Sequence, residues 1–261
     1  MVGVFLLAAF WRKQPIGIAL LFGAIAGAIV AGNGIPIRHL VEGIFTYLDP
    51  ILIIFTALIF MRVIDENGAL GTLARIIITR FATQPILLVL IVTLFIMFPA
   101  MLTGITTTSV LTTGALMAPA LIALGVPALT TAAMIALVSL LGMIAPPINL
   151  LVMLIGQGVD MPYIGFEGPL ALIAFPLAFF TSFTLAFKHL RNSDTSLAVA
   201  NLPEIQSDKK GIILFLPLIV VFLLMIIVRI FPEFVPDIGA PLIFLIGAAI
   251  GLYTGKPVKI Q

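Results

Sequence analysis

The chain contains no cysteine, so disulfide staples and thiolate metal sites are excluded. Charge is scarce: 9% of the 261 residues are Asp, Glu, Lys or Arg, and only two are histidine. Both histidines, His39 and His189, fall in polar segments outside the apolar runs. The formal net charge of +2 comes from scattered loop residues, not a basic patch, so no nucleic-acid partner is expected. Gly-x-Ser-x-Gly, His-Glu-x-x-His and Walker-type signatures are missing, so the chain is not expected to be an enzyme. Met1–Phe10 lacks the basic start and small-residue cleavage site of a signal peptide. It reads instead as a short first span.

What is present is hydrocarbon. The chain is 62% hydrophobic, with a mean hydropathy of +1.29. This is the composition of an all-α polytopic membrane protein. Nine apolar stretches stand out: 2–11, 16–32, 50–63, 84–102, 109–125, 127–156, 168–187, 211–229 and 234–254. Residues 69–81 are amphipathic, with Leu70, Leu73, Ile77 and Phe81 on one face and Arg75 and Arg80 off it. They read as a helix lying in the membrane interface. Residues 188–210 form the one long polar stretch.

From Phe81 to Val159 there is no Asp, Glu, Lys, Arg or His. Two polar interruptions sit inside that run. The first is Thr103-Gly104-Ile105-Thr106-Thr107-Thr108-Ser109, followed by Thr112 and Thr113. The second is Gly142-Met143-Ile144-Ala145-Pro146-Pro147-Ile148-Asn149. Pro147 has no N–H and restrains Pro146 before it, so a helix must break or kink there. Backbone released from a helix is tolerated at membrane depth only where protein or a water-filled cavity receives it. Two interruptions in one apolar run point to two interrupted segments lining a small-solute or ion site. Hydroxyls and freed carbonyls suit a hard cation such as Na⁺, and helix amino ends suit a carboxylate. The bland alternatives are Thr hydroxyls bonded back to carbonyls one turn earlier and a simple packing kink.

Residues 84–125 can be two full crossings or a re-entrant hairpin whose tip stops near the midplane. In either topology eleven of the thirteen basic residues share one side, and only Arg38 and Arg229 lie opposite. The positive-inside rule makes the rich side cytoplasmic, including the 188–210 linker. Residues 15–37 and 239–259 both carry Gly-Ala-x-x-Gly, then a Gly and a Pro-Ile or Pro-Val ending. Running in opposite directions, they have the pattern of an inverted-topology repeat. Asp65 and Glu66 beside Arg62 read as a solvated turn, and Asp160 and Glu167 as loop charges.

From about Ile51 to Phe187 the sequence resembles the large membrane subunit of TRAP transporters, the tripartite ATP-independent periplasmic family. The resemblance rests on Thr103-Gly104, Gly114, Pro119, Gly125 and Gly142 with Pro146-Pro147, in order and without a gap. It also rests on the preceding Ile-Phe-Thr-Ala-Leu-Ile-Phe-Met-Arg and Asn-Gly-Ala-Leu. Ile105 and Thr106 replace two small residues of the family's hairpin, and Val126-Pro127 replaces an aromatic turn. The resemblance implies an elevator-type, Na⁺-coupled importer of small organic acids such as dicarboxylates or sugar acids, in the bacterial inner membrane. A periplasmic solute-binding protein would deliver the substrate, and a small membrane subunit would brace the scaffold. The remaining half of the large subunit would supply what the chain lacks after its second repeat begins. Residues 1–66 would be scaffold spans, 67–83 an interfacial arm helix and 84–166 the transport region. Residues 167–187 would be a span and 211–261 the start of the second repeat. Thr103, Gly104, Thr106, Thr107, Thr108 and Asn149 would bind substrate. Thr106, Thr107, Ser109, Gly142, Met143 and Pro146 would hold Na⁺, partly through carbonyls, with lipid around the whole. The nearest rivals are a stand-alone divalent-anion/Na⁺ symporter and a citrate- or gluconate-type permease.

Overall fold

A computed structural model describes residues 1–81, 83–162, 165–190, 211–231, 236 and 238–254. It is helical throughout, with no strand among the described residues. Most of the 188–210 linker, and residues 255–259 of the repeat, lie outside the described residues. The helices are α1 (Val2–Trp11), α2 (Ile16–Val30), α3 (Ile37–Thr46), α4 (Leu48–Glu66), α5 (Ala69–Phe81) and α6 (Pro85–Thr103). They continue with α7 (Thr106–Ala123), α8 (Ala128–Ile144), α9 (Leu150–Gly158), α10 (Glu167–Leu190), α11 (Ile213–Ile230) and α12 (Gly239–Thr254). Among the described residues, α6, α7, α10 and α11 are long and apolar enough to cross a membrane, and α3 with α4 makes a fifth if counted as one bent span. The chain is therefore a helical, multi-pass membrane protein. It divides into two compact units, Met1–Leu48 and the remainder from Asp49.

In the first unit α1 packs on α2 through glycine. A Cβ built on Gly23 would stand 3.2 Å from the Met1 carbonyl oxygen, and one on Gly27 would meet the Met1 side chain. Helix α3 was not among the expected segments, although its pattern is plain. Ile37, Leu40, Val41, Ile44 and Phe45 recur at the 3, 4, 7 and 8 spacing of one helical face. The polar face holds Arg38 and Glu42, joined at 2.7 Å. Its apolar face is left open, with Ile37, Ile44 and Phe45 between 59% and 68% exposed.

In the second unit, α6 is the axis. Pro85 opens it at a position where a missing N–H costs nothing. Gly104 closes it in the left-handed conformation, at φ +65°. With 19 residues it spans about 28 Å at 1.5 Å per residue. Helices α8 and α10 pack against it and against each other. The apolar face of α5, read from sequence as lying in the membrane interface, is covered by protein. Leu70, Ala74, Ile77 and Ile78 are buried, and the helix leans on α6 and α7.

On the other side of this unit α12 packs into α11 and α4. A Cβ on Gly247 would lie 2.7 Å from the Phe60 ring, and one on Gly251 would lie 2.5 Å from Val63 Cγ1. Phe60 and Phe244 close the contact with ring centroids 5.6 Å apart. The Gly spacing shared by α2 and α12 thus has a packing role within each unit, as close helix contact demands small residues. Glu167 at the start of α10 pairs with Arg229 near the end of α11 at 3.0 Å. Those two helix ends therefore share one side.

Replacing Gly247 by Val should force Phe60 and Val221 aside. Overpacking of this kind costs about 1–3 kcal/mol, read as a lower midpoint of thermal unfolding in detergent. An unchanged midpoint would show that α12 does not pack this closely.

Candidate functional site

A turn at 103–106 joins α6 and α7, each long enough to cross a membrane, a helix break spans 145–149, and the two meet. Helix α6 ends at Thr103, Gly104 and Ile105 turn the chain, and α7 begins at Thr106. Helix α8 ends at Ile144, and α9 resumes at Leu150 after Ala145–Asn149, with Pro146-Pro147 cis. A Cβ on Gly104 would stand 2.5 Å from Leu150 Cβ. The turn thus rests directly on the first residue of α9, and only glycine fits. Thr106 Oγ1 donates to Met143 Sδ at 3.4 Å across the same junction. Gly142 brings α8 against α6, where an added Cβ would lie 2.8 Å from the Met97 carbonyl oxygen.

Prolines decide which carbonyls are free. A helical carbonyl is normally served by the N–H four residues on. For Gly142 and Met143 those positions are Pro146 and Pro147, which have none. The Gly142 carbonyl accepts instead from Ala145 N at 3.1 Å. The Met143 carbonyl is left without a helical donor. Asn149 stitches the gap: its Nδ2 donates to the Ile144 carbonyl at 2.7 Å, and its Oδ1 accepts from Val152 N at 3.0 Å. Asn149 is the amino cap of α9.

Pro99 does the same inside α6, where its ring removes the donor for Phe95 and loosens the adjacent turn. Hydroxyls from α7 reach the neighbouring carbonyl, that of Ile96. Ser109 Oγ and Thr113 Oγ1, the latter at 3.2 Å, both donate to the Ile96 carbonyl. A π turn over Val110–Gly114 follows Ser109 and contains Thr113. Thr103 donates to the Pro99 carbonyl at 2.8 Å and Thr112 to Thr108 at 2.6 Å.

The seven hydroxyl residues between 103 and 113 therefore separate into two groups. Thr103, Ser109, Thr112 and Thr113 are spent on backbone carbonyls. Thr106 touches only a thioether. Thr107 is exposed, Thr108 is half-buried, and neither hydroxyl has a protein partner among the described residues. These three form the first turn of α7, where backbone N–H groups lack helical acceptors and no side chain caps them. The structure thus places Thr106–Thr108, Gly104, Met143 and the start of α9 together. It gives Ser109 and Asn149 internal work.

No family model, curated protein or solved structure matches this chain. The site rests on its own geometry. Among the described residues no group of His, Cys, Asp or Glu is arranged to hold a metal, so a cation here would meet hydroxyls and carbonyls alone. Sequence reasoning missed Ser139, one turn before Gly142, and Ser182 on α10. Both hydroxyls are buried without a partner among the described residues. A serine in an apolar helix gives no sign of whether its hydroxyl is paired.

Asn149→Ala should strand the Ile144 carbonyl and the Val152 N–H. Leaving such groups unmet costs about 1–3 kcal/mol, and amide exchange over 145–152 should quicken. Exchange at the wild-type rate would mean that Asn149 does not hold the break together.

Proposed function

We propose that this chain is a membrane subunit of a Na⁺-coupled secondary transporter of the TRAP large-subunit type. It would import small organic acids delivered by a periplasmic solute-binding protein, with a small membrane subunit beside it. The observation that carries this reading is the meeting of the α6–α7 turn with the α8–α9 break. The Thr106 hydroxyl bonded to a thioether, two hydroxyls in the same helical turn without a partner among the described residues, an uncapped helix amino end and a released carbonyl lie there, in a run without a single formal charge. Hydroxyls and carbonyls are the ligands of a hard cation. An uncapped helix amino end favours a carboxylate. A cation and an organic anion held side by side also neutralise each other where water is scarce.

In this reading, Thr106 and Thr107 hydroxyls and the Met143 carbonyl hold Na⁺, with Gly142 and Pro146 shaping the backbone around it. Thr107, Thr108 and the amino end of α7 face the substrate carboxylate, and Thr103 and Gly104 form the turn. Ser109 and Asn149 support the site by fixing α7 on α6 and α9 on α8. Elevator movement would carry α6–α9 relative to α4, α11 and α12. The sole aromatic contact recorded between α6 and α11, Phe98 with Phe222 at 5.7 Å, lies on that boundary among the described residues.

The test is uptake of labelled organic acids into proteoliposomes holding the chain with the products of its neighbouring genes. Uptake is expected to need both a Na⁺ gradient and added binding protein. Thr106→Val and Thr107→Val should each raise the Na⁺ concentration for half-maximal uptake, by roughly tenfold if one ligand is worth about 1.4 kcal/mol, without loss of folded protein. Unchanged Na⁺ dependence in both would remove the tip from the site. Uptake indifferent to the binding protein would make this a stand-alone symporter.

A further inference from the structure

A shallow groove of about 370 Å³ opens on the surface between the start of α6 and the end of α10. Pro85, Ile86, Leu87, Leu90 and Phe187 line it, with Gln84 at its polar end. Phe187 is held in place by stacking on Phe183, with centroids 4.3 Å apart. From Gln84 to Leu90 the groove runs about 9 Å along the helix. That is the length of part of an acyl chain. A partner's spanning helix would need about 30 Å of continuous seat.

Among the described residues, the charges next in sequence to the groove's lining are basic. Lys188 follows Phe187 directly, and Arg80 lies in the last turn of α5, four residues before Gln84. Neither makes an ion pair among the described residues, and both are exposed. The sequence has no acid between Glu66 and Asp160. The groove also sits at the ends of two helices long and apolar enough to span a membrane, α6 and α10. We infer that it is a binding site for an anionic phospholipid, with one acyl chain along Ile86, Leu87, Leu90 and Phe187 and the headgroup phosphate at Lys188 and Arg80. Basic residues next to a span attract anionic headgroups, and the apolar seat adds residence. Bound there, the lipid ties α6 to α10 at one end of the hairpin arm.

Native mass spectrometry of the purified full chain tests this, with equal amounts of phosphatidylglycerol and phosphatidylcholine added. Phosphatidylglycerol should be retained in preference. Arg80→Gln and Lys188→Gln should each lower that preference about fivefold, and Ile86→Trp, which fills the groove, should reduce retention of both lipids. Glycerol phosphate, which has no chains, should fail to displace the lipid. Equal retention of the two lipids overturns the inference, as does a preference unaltered in the double Gln variant. So does displacement by glycerol phosphate. A co-purifying protein lost in Ile86→Trp with lipid retention unchanged would make the groove a protein seat instead.

Discussion

Backbone polar groups that a helix releases inside hydrocarbon must find another partner, because no water is there to take them. Prolines inside helices release carbonyls at Pro99, Pro119 and Pro176, and Pro146-Pro147 does so at the break. Asn149 serves both ends of the Pro-Pro break, and Ser109 and Thr113 bond to the Ile96 carbonyl beside the one that Pro99 releases. At the meeting of turn and break, the first turn of α7 has no side-chain cap and the Met143 carbonyl has no helical donor. Those two features lie against each other through the Thr106–Met143 and Gly104–Leu150 contacts.

The glycines explain why this meeting is so compact. Gly104 lets the turn touch Leu150, and Gly142 lets α8 approach the α6 backbone. A methyl group at either position would separate the hairpin from the break. At Gly104 it would also add left-handed backbone strain, about 1–2 kcal/mol for a non-glycine residue. Elsewhere, Gly247 and Gly251 do comparable work for α12 on α4 and α11. The same residue type thus builds the scaffold contact and the site.

The α6–α7 turn and the α8–α9 break were legible because their signals are local: Thr103-Gly104 inside an apolar run and two successive prolines. The division of labour among the hydroxyls was not. Whether Ser109 faces a ligand or the Ile96 carbonyl depends on how α7 lies against α6. Asn149 reads equally well as a ligand or as a helix cap until the Ile144 carbonyl is seen beside it. Helix α3 was legible by its spacing, yet its polar residues and flanking glycines mark the same stretch as a loop. For α5 the amphipathic face was readable, but only packing shows that α6 and α7 cover it. The Glu167–Arg229 pair joins residues too far apart in sequence for any local rule.

The absence of cysteine makes the central contact directly measurable. Cysteines placed at Thr106 and Met143, whose side chains meet at 3.4 Å, can react only with each other. The decisive measurement is the extent to which a short bifunctional thiol reagent joins T106C to M143C in membranes. The account predicts extensive joining within one chain. No joining, with each cysteine still labelled singly, would contradict the meeting of turn and break on which the site depends.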